Sequence, residues 1–312
     1  MNAQKIALLT DSCADIPPAL CERYGIYVLP LRLLFADGEY LDGQTITADG
    51  LYARLPRELP VTSLPSGEQV EAVFSRIAAD GYEKVLAVHL SAGLSGTYNL
   101  VRLLGGERTD LEVRVFDSVS GSLGIGLVLI QAARLIEQGC DWDSLLGLVP
   151  GMIAGTKVFF CVDTLEYLQK GGRIGRISAI AGTLLQVKPI ITFAESGELV
   201  NISKGRGRRA ALDKLAALFR EALPAGQRVI AAVVDGGAPA EGEALRAQIE
   251  PLLPPGTEVL RGQIDCTLGT YVGPHLLGAG FQTVPDWPAG TPSTGRGQTG
   301  FQYTGHFPPQ PV

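Results

Sequence analysis

The chain has 312 residues, 46% of them hydrophobic, with 26 basic against 32 acidic side chains and a formal net charge of -6. That length buries a sizeable core and predicts two domains, and the acidic balance argues against a general nucleic-acid binder, which needs a basic face. The five cysteines (Cys13, Cys21, Cys140, Cys161, Cys266) form no Cys-x-x-Cys pair and histidines number only three, so the cysteines read as reduced thiols and a zinc site is poorly supported.

The first apolar run, Lys5 to Leu9, reads as a strand and is too short for a signal peptide. The uncharged apolar run Ser118 to Ala133 is shorter than the ~20 residues of a membrane span. A cytoplasmic location is therefore expected. A helix follows near Pro17 to Arg23. Next comes a hydroxyl-rich turn, Thr62-Ser63-Leu64-Pro65-Ser66. Ser66 and Gln69 make a capping box, which predicts that the amphipathic helix Gly67 to Ala79 starts there, with Val70, Val73, Phe74 and Ile77 on one face. Val85 to Leu90 is a strand pattern that makes His89 a core histidine, and Ser95 to Leu104 is a helix. Val113 to Phe116 and Ser122 to Gln138 repeat the pair. Strands alternating with helices predict an α/β domain around a largely parallel sheet, where ligands collect at the carboxyl ends of strands.

Past Pro150-Gly151 the pattern changes. Lys157 to Val162, Lys188 to Phe193 and Leu199 to Ser203 read as strands, the last two joined at Ser196-Gly197 as a hairpin. Asp163 and Glu166 repeat the capping signal. Helices are predicted over Arg209 to Glu221 and Ala240 to Glu250, and strands over Arg228 to Val234 and Glu258 to Gln263. The expected division is an N-terminal α/β domain over 1–155, whose 60–80 stretch could pack with the second domain, and a C-terminal α+β domain with a mixed sheet over 156–283. Residues 284–312, rich in Pro and Gly, read as a disordered tail.

Ser95, at the start of a helix that follows a strand, can cap it, and the first helical N–H groups there make an anion site of neutral donors. A plain capping serine is the competing reading. Gly93-Leu94-Ser95-Gly96-Thr97 departs from the nucleophile elbow at its last position, and no histidine is obviously placed as its base. The Thr62 to Ser66 turn is, by itself, a cap plus a proline stop. Gly121-Ser122-Leu123-Gly124-Ile125-Gly126 has the wrong spacing for a dinucleotide loop, and its glycines suit close helix packing or room for a ligand. Asp11-Ser12 and Asp117-Ser118 end strands, where capping and turn roles outweigh acid–base work. Arg173, Arg176, Arg206, Arg208 and Arg209 read by default as a solvated face, although Gly171-Gly172 gives Arg173 a mobile presentation.

Four segments together resemble the DegV family of bacterial fatty-acid-binding proteins, also called the FakB type. They are Asp11-Ser12-Cys13-Ala14-Asp15, Thr62 to Ser66, Leu94-Ser95-Gly96-Thr97-Tyr98, and Asp163 through Gly175. The resemblance spans roughly Ile6 to Phe281. It implies two α/β-type domains with an acyl tunnel between them, and a carrier rather than a catalyst, with no catalytic residue, metal or cofactor. It assigns the fatty-acid carboxylate to Thr62 and Ser95, with the Gly96 N–H, and with Ser63 and Ser91 as lesser candidates. Neither hydroxyl motif holds an arginine or lysine, so uncharged donors are expected at the headgroup. Arg173 and Arg176 would face a partner fatty acid kinase that phosphorylates the bound acid. The implied partners are the fatty acid, that kinase and transient contact with a membrane, with no nucleic acid. Tyr271 stands where the family often has histidine, with His275 after Pro274, and Ala92 where it often has serine. Two other readings stay open: an esterase or acyltransferase using Ser95, and a binder of a different anionic small molecule using the arginines.

Overall fold

The computed structural model describes residues 2–175, 177 and 187–286, so Arg176 and nearly all of the 284–312 tail lie outside the described residues. The first part of the chain runs β1 (Ile6–Asp11), α1 (Pro18–Tyr24), β2 (Ile26–Leu29), β3 (Arg32–Phe35), β4 (Gly38–Leu41), α2 (Ala48–Arg54), β5 (Val61–Ser63) and α3 (Gly67–Ala79). It continues through β6 (Lys84–His89), α4 (Thr97–Gly106), β7 (Glu112–Asp117), α5 (Leu123–Glu137) and α6 (Trp142–Ala154). Then follow β8 (Thr156–Cys161), α7 (Glu166–Lys170), β9 (Val187–Phe193), β10 (Leu199–Arg206), α8 (Arg208–Ala222) and β11 (Val229–Asp235). The described chain closes with α9 (Pro239–Ile249), β12 (Val259–Gln263), α10 (Cys266–Val272) and β13 (Leu277–Thr283).

A four-stranded parallel sheet has the order β2-β1-β6-β7. Alternation along its strands sends Ala7, Leu9, Val85 and Ala87 toward Val70, Phe74 and Ile77 of α3. Ile6, Leu8, Leu86 and Val88 face the opposite way, into the core that α5 shares. With both faces covered, the strands read as unbroken apolar runs. The capping box forms as expected: Gln69 N–H donates to Ser66 Oγ at 3.1 Å, and Ser66 N–H donates to Gln69 Oε1 at 2.7 Å.

A six-stranded mixed sheet has the order β10-β9-β8-β13-β11-β12, with only β11 and β12 parallel. The helix α5 lies between the two sheets, against β1 and β6 on one side and β8, β11 and β13 on the other. That position explains why 13 of its 15 residues are buried, since a helix apolar all round needs a layer on each side. Gly126 lets it approach closely: a Cβ there would lie 2.8 Å from the Ala14 carbonyl.

A third sheet, antiparallel β4-β3-β5, was not predicted. It pairs Leu33 with Thr62 and so sets where the Thr62 turn lies. Asp163 does not cap α7: its carboxylate and carbonyl take Lys188 Nζ, and Thr164 Oγ1 accepts from Glu166 N–H at 3.1 Å instead.

Candidate functional site

Between the two sheets lies a cavity of about 270 Å³, near the lower end of the ~300–1,000 Å³ typical of ligand pockets. Its walls are apolar, with Phe160 of β8, Phe193 of β9, Val234 of β11 and Leu268 of α10 among them. Strand alternation turns the three strand side chains inward, and α10 closes the space from the side of β3. Polar side chains reach it from several elements: Thr62 and Ser63 from β5, Ser95 from the β6–α4 loop, Ser122 from just before α5, Arg173 from the turn after α7, and Thr267 and Tyr271 from α10.

The two hydroxyl motifs, which are 33 positions apart from Thr62 to Ser95, meet at this cavity. Leu64 packs on Gly96, where a Cβ would lie 3.3 Å from Leu64 Cδ1. Ser95 Oγ shares a hydrogen bond with Thr97 Oγ1 at 2.9 Å and accepts from Thr97 N–H at 3.3 Å. The N-cap of α4 is Gly96, not Ser95 as expected; Ser95 lies one residue earlier, steadies Thr97 and lines the cavity. Gly96 N–H has no hydrogen-bond partner among the described residues. Thr62 Oγ1 is hydrogen-bonded to the Tyr271 hydroxyl.

Other candidates are placed differently. Ser91 is fully buried and is not on the cavity wall; its hydroxyl donates to the Gly197 carbonyl at 2.8 Å and accepts from Gly93 N–H at 3.1 Å. It pins the Ser95 loop to the β9–β10 hairpin. Ser63 lines the cavity, yet its Oγ accepts from Arg32 Nη2 at 3.0 Å. His275 is off the wall, with Nδ1 at 3.4 Å from Glu241. Arg173 also lines this cavity, so its wall holds a charged side chain beside the hydroxyls. Its guanidinium lies on the cavity rim, 4.9 Å from the Tyr271 ring centroid, and donates to the carbonyls of Gly171 at 3.0 Å and Leu94 at 3.4 Å. The lysine–glycine–glycine run marked Arg173 as presented outward and carried no signal for this second position.

Beneath α10 sits a group of carboxylates. Asp42 Oδ1 accepts from Cys266 N–H at 3.0 Å, and its Oδ2 accepts from Thr267 N–H at 2.9 Å and from the Thr267 hydroxyl. Asp265 caps the helix through Leu268 N–H at 2.9 Å, and Asp15 accepts from Asp265 N–H at 2.8 Å. Burial pushes the Asp15 carboxyl up to about 8, opposed by its hydrogen bonds from Ser122 and Asp265. Burial, then the charges of Asp42 and Asp15, hold Asp265 well above the usual carboxylate range. These contacts tie the Asp11-to-Asp15 segment to the helix that carries Tyr271.

His89 forms a dyad with Asp11 (Nδ1 to Oδ2, 2.9 Å), but its buried Nε2 has no partner among the described residues. Ser95 bonds to Thr97 and not to this imidazole, so the geometry lacks the nucleophile–base contact of a hydrolase.

The family model described as "Uncharacterised protein, DegV family" matches residues 5–284. A DegV domain-containing protein of Clostridium acetobutylicum is 38% identical over 278 residues, covering 88% of this chain and 98% of that protein. The structure of a DegV family protein from Thermus thermophilus, described as binding fatty acid, is 30% identical with a TM-score of 0.83, covering 91% of this chain and all of that one. DegV of Bacillus subtilis, described as a fatty acid binding protein, is 29% identical with a TM-score of 0.82, covering 91% of this chain and 99% of that one. A match across the two sheets and the segments around the cavity places this chain in the DegV family.

Proposed function

We propose that the chain carries one long-chain fatty acid, with the tail in the cavity between the sheets and the carboxylate at Thr62 and Ser95. The observation that carries this reading is the make-up of the cavity wall: most of its side chains are apolar, and Thr62, Ser95 and Arg173 share it with them. About fourteen methylenes at ~0.8 kcal/mol each contribute roughly 11 kcal/mol, against an immobilisation cost of at least ~4 kcal/mol. Desolvation of the tail therefore offsets an immobilisation cost of that size before the headgroup is counted. An unpaired carboxylate in an apolar space would be very costly, and Thr62, Ser95 and the Gly96 N–H supply donors for it.

In this reading the carrier presents the carboxylate to a separate kinase. A carboxylate oxygen attacks the γ-phosphorus of ATP, the bond to the β-phosphate oxygen breaks, and ADP and the acyl phosphate leave. Hydroxyl donors suit delivery, because they hold the headgroup without neutralising the attacking oxygen. On this proposal Arg173 meets the kinase, a role supported by its being exposed while also lining the cavity.

Titration of delipidated protein with fatty acid tests the site. Thr62→Ala combined with Ser95→Ala should weaken affinity by about tenfold or more, in line with the loss of hydrogen bonds to a charged group. Arg173→Ala should bind fatty acid comparably and slow acyl-phosphate formation by the kinase. Undiminished uptake by the double variant would place the headgroup elsewhere.

A further inference from the structure

Thr62, Tyr271 and Arg173 come from three separate segments and touch in series. The Tyr271 hydroxyl bonds Thr62 Oγ1, and the Arg173 guanidinium covers the Tyr271 ring. The ring edge also rests on Gly171, where a Cβ would overlap Tyr271 Cδ1 and Cε1. Gly171 has φ -79° and ψ -6°, backbone that any residue adopts, so the ring alone excludes a side chain there. Arg173 in turn bonds the carbonyls of Gly171 and of Leu94, the residue before Ser95. One phenol thus joins a cavity hydroxyl to the Gly171–Arg173 turn.

We propose that Tyr271 couples occupancy of the carboxylate subsite to the order of the Arg173 turn, so that the outward-facing turn differs between the loaded and the empty carrier. The inference rests on the fatty-acid reading above. A hydroxyl has one donor and two acceptor sites, so in the empty protein either partner of the Thr62–Tyr271 pair can donate. A carboxylate only accepts. With it bound, Thr62 must donate to the ligand and Tyr271 must donate to Thr62. The chain then runs one way, and each bond polarises the next. Tyr271 is held more firmly, and with it the surfaces on which Arg173 and Gly171 rest. Tyr271 is a positioning residue in this scheme, acting on the headgroup through Thr62 and on the turn through its ring.

Amide hydrogen exchange over residues 169–175, read with and without saturating palmitate, tests the coupling. Palmitate should slow exchange in the parent by at least about threefold. Methyl palmitate, with the same tail and no anionic headgroup, should leave it unchanged. Tyr271→Phe keeps the ring and loses the hydroxyl, so palmitate at saturation should give it no added protection. Gly171→Ala displaces the ring without removing a hydroxyl and should behave alike, which keeps the test open if either variant folds poorly. A loaded Tyr271→Phe or Gly171→Ala protein protected as fully as the parent overturns the coupling, as does equal protection by methyl palmitate. A parent that binds palmitate with no change in the turn overturns the coupling alone, whereas a parent that takes up no palmitate overturns the fatty-acid reading beneath it.

Discussion

Ser91 and Ser95 are four positions apart on one loop and have different jobs. Ser91 spends its hydroxyl on the Gly197 carbonyl, and a Cβ on neighbouring Gly93 would come within 2.7 Å of Gly197 backbone. The loop is therefore pressed against the hairpin turn, with Ser95 left on the cavity side. Ser91→Ala should lower stability by about 1–3 kcal/mol, because a buried acceptor loses its donor. Ser95→Ala should weaken fatty-acid binding with a smaller change in stability. Denaturant melts beside ligand titrations separate the two, and a Ser91→Ala protein as stable as the parent would refute the structural role. From the sequence both serines were candidates for the headgroup, since one-dimensional spacing does not say which way a loop side chain turns. The motifs picked out Thr62 and Ser95, which line one cavity; the second position of Arg173 was not legible, because it depends on where a turn lands across the fold.

At the level of elements, α10 is held from below by Asp42, Asp15 and its own cap Asp265. The folded Asp15 carboxyl lies near about 8, against ~3.9 in an unfolded chain. Between those values the unfolded chain has released a proton that the native state keeps. This group's contribution to stability therefore falls as pH rises from ~4 to ~8 and levels off above that range. Asn at position 15 can still accept from Asp265 N–H, and it tolerates the left-handed backbone there, φ 50°. Relative to Asp15→Asn, the parent's melting temperature should drop as pH is raised from about 5 to about 8. Parallel pH profiles for the two proteins would contradict the assignment.

Strongly patterned elements were readable. The helices α3, α5 and α8 show clear apolar faces or long apolar runs, and α3 carries its own cap. One miss was the long helix α6, because Pro150-Gly151 reads as a break although both lie inside it; the other misses were short or atypical. The strands β3, β4 and β5 span only three to four residues each, too few to show alternation. The strand β13, central to the mixed sheet, contains Gly278 and Gly280, residues that weaken any strand reading. Packing selects them: a Cβ at Gly280 would lie 2.8 Å from the Lys157 carbonyl.

Over the whole molecule, a single buried helix between two sheets leaves the cavity beside it rather than filling it. Segments that follow strands of the parallel sheet (Leu90, Ser95, Gly121), the small antiparallel sheet and the mixed sheet all contribute to the wall, so ligand binding should hold them together. A ligand that binds only the native state adds about 2.7 kcal/mol at a concentration a hundredfold above its Kd, so delipidated protein should melt lower than loaded protein. Native mass spectrometry of the purified chain tests the central claim most directly. The account predicts a mass excess equal to one fatty acid per chain, released on denaturation. Protein that is empty as purified, and still empty after incubation with long-chain fatty acids, would contradict it.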